Sequence, residues 1–461
     1  MRAERRCSSG RASAGSDVGR ALAAVVRMTA RAELKHFDRD DLRYLMECRD
    51  CGLFQRVLPA REGEVVACRV CHAVLRRTQS NVATLVCALA AAVLFAFAFD
   101  SPLMTLRAGG RVSSGTIYSG PDALARFGAA SVGCLVLATL IVAPALKIGV
   151  VLCALLGERS SAPPRWLPWL YGWLERLGPW AMVDVFMLGA FVAYTRLRAI
   201  ASTEIEPALF ALAGVMLTMV AVDATIDRQA IWDSFDQHGL DTLPSRLEGE
   251  LIGCVVCGRV SRTSDGTRCP RCRHRLRRRK PNSVSRSWAL VVASALLYIP
   301  ANTLAVMKVT RFGQGVPHTI LGGVVELFKD HLWPLAVIVL LASAVVPIVK
   351  LVALSLMLVS TRRRARSHLL FLTRLFRVVS VVGRWSMIDI FALSTLVALV
   401  RLGFLATVFP GEGAAAFAGV VMLTMLATDG FDPRLMWDAA RASSPTPRHV
   451  PMAVHSSRPT S

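Results

Sequence analysis

The sequence predicts an all-α polytopic membrane protein with two tandem repeats of four transmembrane helices, each preceded by a small four-cysteine module. Three observations predict this fold class: eight long apolar segments, a set of motifs that occurs twice, and two groups of paired cysteines. Of the 461 residues, 54% are hydrophobic and 19% charged, and the mean hydropathy is +0.47. Soluble domains carry about 25% charged residues, so this composition argues against an ordinary soluble enzyme.

Each half of the chain contains four apolar segments long enough to cross a membrane. Runs of about 18 or more residues with few charges are typical of spanning helices. Backbone groups in lipid must find their hydrogen bonds within the protein, so helices are the simplest interpretation. The segments are residues 82–99, 129–156, 180–197 and 208–226 in the first half, and 288–306, 335–359, 385–405 and 414–428 in the second.

The distribution of Lys and Arg predicts the orientation in the membrane. With eight spans, 43 of the 54 basic residues lie on one side and 9 on the other. Cytoplasmic loops collect basic residues, so both termini and both cysteine modules are predicted to be cytoplasmic. The net charge of +22 is largely a consequence of this topology. We expect no nucleic-acid partner, and the basic run at residues 271–280 favours attraction to anionic lipid.

Several motifs recur at a shift of 201 to 206 residues, which indicates an internal duplication. The pairs Cys48-x-x-Cys51 and Cys68-x-x-Cys71 recur as Cys254-x-x-Cys257 and Cys269-x-x-Cys272. P-x-x-K at residues 144–147 recurs at 347–350, and the W-x-M-x-D-x-F motif at 180–186 recurs at 385–391. Four is an even number of spans, so both repeats enter and leave on the same face and form a parallel repeat.

The duplication divides the chain into seven segments. Residues 1–44 are predicted to be a disordered basic extension. The other segments are a first cysteine module at 45–80, a first four-helix repeat at 81–230, a linker at 231–250, a second cysteine module at 251–280, a second four-helix repeat at 281–431 and a cytoplasmic tail at 432–461.

The cysteine spacing C-x2-C…C-x2-C suits a tetrahedral thiolate metal site, as in a zinc ribbon. Modules this short build no core of their own, so a metal would supply their folding energy. Thiols stay reduced in the cytoplasm, which argues against disulfides. We predict structural zinc, with iron, an empty site or a redox-switching site as alternatives. The predicted ligands are Cys48, Cys51, Cys68 and Cys71, and Cys254, Cys257, Cys269 and Cys272.

Ionisable side chains recur inside the spans, where they are rare and point to function. In the second repeat, Lys350 lies on the second helix, Asp389 on the third, and Thr424 and Asp429 on the fourth. The lysine stem can bend toward the cytoplasmic face and approach Asp389 and Thr424. The first repeat carries the same pattern. Two polar clusters are therefore predicted in the inner half of the membrane, the first-repeat one formed by Lys147, Asp184, Thr218 and Asp223.

Three interpretations of these clusters stay open. A buried ion pair would pin helix two to helix three, a substrate or proton site would use the Lys–Asp pair as a two-state element, and a snorkelling lysine would pair with nothing. Pro144 and Pro347 precede the lysines by three residues and would kink these helices, which favours a cavity. The chain contains no nucleotide-binding or hydrolase motif, so we do not expect an enzyme.

The duplicated cysteine modules, the P-x-x-K motif and the W-x-M-x-D-x-F motif together resemble the paraquat-inducible protein A family over about residues 45–440. The stretch Phe431-Asp432-Pro433-Arg434 also resembles that family. The first half departs from it, because residues 226–228 lack the proline and residues 97–99 stand where the second half has Pro-Ala-Asn.

This resemblance implies an inner-membrane subunit of an intermembrane lipid transport system. The implied partners are a periplasmic MCE-domain protein and a phospholipid or other membrane lipid. Two other functions fit the residues alone: a metal or redox sensor that uses the eight thiolates, and a non-transporting membrane anchor for a periplasmic assembly. The anchor would dock through extracytoplasmic loops that contain the related segments 116–120 and 319–323.

Overall fold

The computed structural model describes residues 44–58, 62–108, 110–160, 163–198, 202–238, 249–311, 314–329, 331, 333–365, 367–400 and 406–442. The predicted extension, except for Tyr44, half of the linker (residues 239–248) and the end of the tail lie outside these residues. Within the described chain, eight helical segments are long and apolar enough to cross a membrane, so the fold class is confirmed. These spans are Asn81–Asp100, Ala130–Glu158, Leu167–Arg198, Pro207–Thr225, Ser283–Thr303, Trp333–Arg363, Leu369–Leu399 and Glu412–Gly430.

Both repeats contain helices in the same order, except that two short helices before Gly178 in the first repeat correspond to one helix before Gly383 in the second. The first has α1 (Asn81–Asp100), α2 (Ser119–Arg126), α3 (Ala130–Leu137), α4 (Ala143–Glu158), α5 (Leu167–Tyr171), α6 (Leu174–Leu177), α7 (Val183–Arg198), α8 (Pro207–Thr225) and α9 (Arg228–Gln237). The second has α10 (Ser283–Thr303), α11 (Ile320–Lys329), α12 (Trp333–Leu340), α13 (Val346–Arg363), α14 (Leu369–Val382), α15 (Ile388–Leu399), α16 (Glu412–Gly430) and α17 (Arg434–Ala442).

The second span of each repeat is interrupted by a π-helical turn, at Ala138–Val142 and at Leu341–Val345. Pro144 and Pro347 lie directly after these turns, near the start of α4 and α13. Proline has no N–H to donate to the preceding turn, and a π-helical bulge accommodates that loss. The irregular turn lies one to two helical turns from each buried lysine.

The third and seventh spans begin earlier than the sequence predicts, at Leu167 and Leu369 rather than at residues 180 and 385. The helices that precede the apolar runs are α5 and α6 in the first repeat and α14 in the second. They pack on α4 and α13, and α6 and α14 contain arginines, whereas hydropathy alone places these residues in a loop. The short 3-10 helices Gly178–Trp180 and Gly383–Met387 join the two parts. The last helix of the seventh span, α15, ends at Leu399, and residues 401–405 lie outside the described chain.

Short antiparallel strands, absent from the sequence-based prediction outside the cysteine modules, tie the loops together. The described strands are β1 (Leu45–Glu47), β2 (Phe54–Arg56), β3 (Val65–Ala67), β4 (Val74–Arg77), β5 (Met104–Ala108), β6 (Arg111–Gly115), β7 (Ser202–Ile205), β8 (Glu250–Gly253), β9 (Val260–Thr263), β10 (Met307–Arg311), β11 (Gln314–His318) and β12 (Ala406–Pro410).

Each repeat has one three-stranded sheet on the side opposite the cysteine modules. The hairpin β5–β6, between the first two spans, pairs through β5 with β7, and the hairpin β10–β11 pairs through β10 with β12. Thr105 lies opposite Ser114 on one side and Glu204 on the other. Because β7 and β12 precede the fourth span of their repeats, each sheet fixes the first pair of spans against the second pair.

The two repeats meet where α7 crosses α15. A methyl group on Gly189 of α7 would lie 2.8 Å from Cβ of Phe391 and 2.9 Å from the backbone oxygen of Ile388. The rings of Phe186 and Phe391 meet edge to face, with centroids 5.7 Å apart. Glycine therefore permits the close approach of two helix backbones, which is typical of helix–helix contacts in membranes. One apolar core runs through both repeats.

Each cysteine module packs against the repeat that it does not precede. The core of the first module joins Met357, Leu369 and Trp437 of the second half, and the core of the second module joins residues of the first repeat, including Tyr171. Arg377 of α14 donates to Asp50 at 2.6 Å, in the first module. The chain therefore crosses over itself, and the two halves depend on each other for the packing of their modules.

Glu47 connects the two modules to the end of the second repeat. Its carboxylate accepts hydrogen bonds from the Gly253 backbone at 3.1 Å and from Arg279 and Arg434, each at 3.0 Å. Arg434 also donates to Asp432 at 2.9 and 3.0 Å. Burial tends to raise the pKa of the Asp432 carboxyl, but the hydrogen bonds and charge of Arg434 outweigh it, so this pKa lies below its usual value.

Replacing Gly189 by Ala tests the contact between the repeats. The added methyl group overlaps the backbone of α15, which is expected to cost about 1–3 kcal/mol and to lower the thermal unfolding midpoint of the protein in detergent. Gly149→Ala is the matched control, because a methyl group there meets no atom within 4 Å. Equal midpoints for the two variants would contradict the proposed contact.

Replacing Asp432 by Asn tests the network around Glu47. At pH 7 we expect a loss of about 2–4 kcal/mol, because Arg434 loses one of its two buried carboxylate partners and keeps only Glu47. Since the folded-state pKa of Asp432 is lowered, its stabilisation is present above the unfolded-state pKa of about 3.9 and disappears as the pH falls through the folded value.

The difference between the wild type and Asp432→Asn should therefore shrink below about pH 4, measured as unfolding midpoints from pH 7 to pH 3. Asp122→Asn removes an exposed i,i+4 pair with Arg126 and should change stability by less than about 0.5 kcal/mol. A pH-independent deficit in Asp432→Asn would show that the charge of Asp432 is not what stabilises the fold.

Candidate functional site

The eight predicted metal ligands form two compact clusters. Each holds four buried cysteines whose sulfur atoms all lie within 4.8 Å of one another. The closest Sγ–Sγ distances are 3.4 and 3.6 Å in the first cluster and 3.5 and 3.6 Å in the second. These distances are far longer than a disulfide bond of about 2.05 Å and near the separation of about 3.8 Å expected for four thiolates around one metal ion.

Tight turns prepare the cysteine pairs for a metal ion. The residue after each pair is Gly52, His72, Gly258 or Arg273, and its φ angle is left-handed, between 57° and 75°. Its N–H donates to the carbonyl of the first cysteine of the pair at 2.9 to 3.0 Å. The turn brings both sulfurs of a pair to one side, so the eight residues fit two tetrahedral metal sites, which Cys48, Cys51, Cys68 and Cys71, and Cys254, Cys257, Cys269 and Cys272 would hold.

Lys350 is the most buried cation of the predicted polar clusters, with 2% of its surface exposed. Its amine donates to Thr424 Oγ1 at 2.9 Å and to the backbone oxygen of Gly383 at 3.3 Å. Thr424 in turn donates to the backbone oxygen of Val421 at 2.9 Å. In the described part of the chain Lys350 forms no ion pair, so neutral oxygen atoms solvate this amine.

Asp389 does not meet Lys350, in contrast to the expected Lys–Asp pair. Its carboxylate accepts a hydrogen bond from Ser343 in the π-helical turn of the sixth span. It shares a cavity of about 50 Å³ with Arg196 and His318, on the sheet side of the second repeat. Asp389 lies six residues beyond Gly383, about 9 Å farther along the span. Because this span begins at Leu369, Gly383 already lies inside it, and Asp389 lies deeper than the sequence predicts.

The first-repeat residues are arranged differently. Lys147 donates to Asp223 at 2.6 Å in a direct ion pair. Thr218 donates to the backbone of its own helix, at 2.8 Å to Gly214 and 3.0 Å to Val215. Asp184 takes part in no hydrogen bond or ion pair with the residues that the structure describes. The predicted first-repeat cluster therefore reduces to one pair that joins the second and fourth spans.

A second lysine distinguishes the environment of Asp429 from that of Asp223. The amine of Lys280 donates to the backbone oxygens of Asp429 and Phe431, and its charge lies near the Asp429 carboxylate. At the matching place in the first repeat, the neutral amide of Gln79 faces the backbone oxygens of Ala224 and Thr225. A cation next to Asp429 competes with Lys350 for this carboxylate, which explains why Lys350 turns to Thr424 instead.

Three residues of the second-repeat site were missed from the sequence: Gly383, Ser343 and Arg196. A methyl group on Gly383 would lie 2.9 Å from Cε and 3.0 Å from Nζ of Lys350, so glycine leaves room for the lysine side chain. Its signal is the G-x-W motif at 383–385, which recurs at 178–180. Ser343 and Arg196 gave no pattern, because they lie on different repeats and meet Asp389 only in three dimensions.

The related segments 116–120 and 319–323 start helices on the sheet side. Thr319 Oγ1 accepts a hydrogen bond from the N–H of Gly322 at 3.1 Å and begins α11. Ser119 donates to the backbone oxygen of Thr116 at 2.7 Å and begins α2. Their side chains therefore satisfy backbone groups at a turn, while docking of a partner at these loops stays a prediction.

A family model described as paraquat-inducible protein A matches residues 82–236 and 284–441, which together are more than half of the chain. Each range covers the spans of one repeat. The chain belongs to the paraquat-inducible protein A family. The resemblance drawn from the duplicated motifs is confirmed.

Two bacterial relatives match the chain over nearly their whole length. "Intermembrane transport protein PqiA" of Escherichia coli strain K12 is 30% identical over 400 residues, 85% of this chain and 95% of that protein. "Lipophilic envelope-spanning tunnel protein A" of the same strain is 28% identical over 415 residues, 90% of this chain and 95% of that protein. No solved structure matches the chain.

Metal analysis of the purified full-length protein tests the two clusters. We expect two metal ions per chain, and one per chain in Cys51→Ser, because three thiolates bind a metal more weakly than four. Cys134→Ser is the matched control, since Cys134 is an exposed cysteine outside both clusters. A chelator should lower the unfolding midpoint of the wild type. Full metal content in Cys51→Ser would contradict the assigned ligands.

Proposed function

We propose that this protein is an inner-membrane subunit of an intermembrane lipid transport system and passes lipid between that membrane and a periplasmic MCE-domain partner. The names of the relatives describe intermembrane transport and an envelope-spanning tunnel. Eight spans fit a protein that lies in one membrane and receives its partner on the other side. The excess of basic residues supports cytoplasmic termini and modules, and the sheet side then faces the partner.

The observation that carries this proposal is a buried lysine that forms no direct ion pair in the described chain, although the charge of Asp429 acts on it from a distance. Lys350 lies in the sixth span, where an ionised group is costly and tends to mark a transport path. A structural lysine would be expected to form an ion pair, as Lys147 does with Asp223. Lys350 instead keeps an amine that is free to exchange a proton or to bind an anionic group when the site opens.

Asp389, Ser343 and Arg196 extend the polar region from Lys350 toward the sheet side. The cavity of about 50 Å³ that Asp389 and Arg196 line is too small for a phospholipid and large enough for a water molecule. In this conformation the cluster therefore suits proton exchange rather than lipid binding. We infer that Lys350 and Asp389 hold charge in alternating protonation states, and that lipid moves when the surrounding helices separate.

The first repeat and the cysteine modules are proposed to be structural. The Lys147–Asp223 pair fixes the second span against the fourth, and each module ties its metal cluster to the opposite repeat. We propose zinc as the metal, because four thiolates in a closed tetrahedral arrangement are typical of structural zinc sites. A redox-sensing role would instead call for iron or for an exposed, reactive thiolate.

Replacing Lys350 and Lys147 by Met separates the two roles. In a strain that lacks its own copy and has a measurable outer-membrane barrier defect, Lys350→Met is expected to lose at least about tenfold in rescue, because the amine is removed from the site. Lys147→Met should rescue nearly normally, because the Lys147–Asp223 pair joins two spans and leaves no amine free of a direct ion pair.

Two glycine variants give a second test that leaves every charge in place. Gly383→Ala should displace the Lys350 amine and reduce rescue, whereas Gly178→Ala at the matching position meets no atom within 4 Å and should not. Normal rescue by Lys350→Met, Asp389→Asn and Gly383→Ala, at wild-type protein levels, would argue that the protein is an anchor that does not transport.

A further inference from the structure

A cavity of about 480 Å³ lies outside the membrane-spanning clusters, where the second cysteine module meets the start of the third span. Among the described residues that line it, none is acidic, and its four arginines form no ion pair within the described chain. This volume is typical of a site for a small molecule or a headgroup. The basic side chains that line it are Arg176, Arg268, Arg273, His274 and Arg275.

The equivalent place in the other half of the molecule is filled. There, Arg377 donates to Asp50 at 2.6 Å and to the backbone oxygen of Cys71 at 2.8 Å, and so joins α14 to the first module. At the repeat shifts of 205 and 206 residues, Arg377 corresponds to Gly172 and Asp50 to Val256. Loss of that ion pair leaves the cavity open, and both Gly172 and Val256 line it.

The positive charge of the cavity also differs between the two modules. Arg268, Arg273 and Arg275 surround the last cysteine pair of the second module. Counted from the last cysteine pair of each module, the corresponding residues of the first module are Ala67, His72 and Val74. The duplicated modules share their metal ligands, so the fold does not require these arginines. These cations are concentrated in the second module, where the cavity is open, and not in the first, where it is filled. This difference indicates an anionic ligand.

Two tryptophans place the cavity at the membrane surface. Trp169 and Trp173 line it with 52% and 39% of their surfaces exposed, and their rings meet edge to face at 6.0 Å. Trp169 lies on α5 and Trp173 directly precedes α6, and both short helices come before the apolar helix α7 of the third span. Tryptophan is enriched in the headgroup region at the ends of spanning segments, so this end of the third span is expected to lie there.

We propose that this cavity binds the phosphate of an anionic phospholipid headgroup in the leaflet on the side of the cysteine modules. Arginines contact the phosphate, and the indoles contact the start of the acyl chains. A soluble phosphate would use the arginines alone, so the exposed tryptophans favour the lipid as the source. The bound lipid would join the second module to the bilayer. At the equivalent place in the other half, Arg377 joins the first module to α14.

Native mass spectrometry of the full-length protein in detergent, titrated separately with phosphatidylglycerol, phosphatidylcholine and inorganic phosphate, tests this proposal. The wild type should bind one phosphatidylglycerol with a clear preference over phosphatidylcholine. The triple variant Arg268→Gln, Arg273→Gln and Arg275→Gln should lower that affinity at least about tenfold. The control removes the same charge at three exposed arginines on the same side: Arg69→Gln, Arg77→Gln and Arg363→Gln.

A second variant fills the cavity and adds no net charge. Gly172→Arg with Val256→Asp introduces the ion pair of the other half and should also abolish the bound phosphatidylglycerol, while the metal content stays at the wild-type value and shows that the module is folded. Equal loss in the control triple variant, or unchanged binding in both cavity variants, would overturn the proposal. Cavity-dependent binding of inorganic phosphate without any preference for phosphatidylglycerol would overturn the lipid assignment.

Discussion

The amine of Lys350 lies where lipid and apolar side chains surround the helices, so the protein itself must supply its hydrogen bonds. Thr424 and the carbonyl of Gly383 do so, at 2.9 and 3.3 Å. This arrangement requires a glycine at position 383 and a hydroxyl on the eighth span. Burying a cation costs free energy, which other interactions in the protein must offset. Such buried ionised groups in spans tend to mark transport paths, so the second repeat is the candidate for transport.

The two repeats share a frame and differ in the partners of their charged groups. In the first, a direct Lys147–Asp223 pair closes the site. In the second, Lys280 lies next to Asp429, and Lys350 forms no direct ion pair within the described chain. The cysteine modules differ the other way round. The Arg377–Asp50 ion pair fills the contact between the first module and the second repeat, whereas a basic cavity lies between the second module and the first repeat.

The sequence predicted what depends on local pattern. Hydropathy located all eight spans, and the cysteine spacing identified both clusters, because each signal lies within a short stretch. The reach of a lysine stem also predicted the approach of Lys350 to Thr424. Depth along the seventh span was predicted wrongly, because the helix before Gly383 contains arginines and was treated as a loop, and Asp389 therefore lies away from Lys350.

Other features depend on residues far apart in the chain. The sheets pair β5 with β7 and β10 with β12 across two spans, and no periodicity within one loop predicts such pairing. The crossed modules arise from contacts such as Arg377 with Asp50, which are 327 residues apart. Arg196 reaches the Asp389 cavity from the other repeat. A duplicated sequence predicts equal halves, and the functional difference appears only in side-chain partners.

Photolabelling of the full-length protein in native membranes with a diazirine phospholipid, followed by mass-spectrometric mapping of labelled residues, addresses the asymmetry between the repeats most directly. We expect labelled residues beside Lys350 and Thr424, on α13 and α16, well in excess of their counterparts on α4 and α8. Equal labelling of the two repeats, or an excess in the first, would contradict a lipid path through the second repeat.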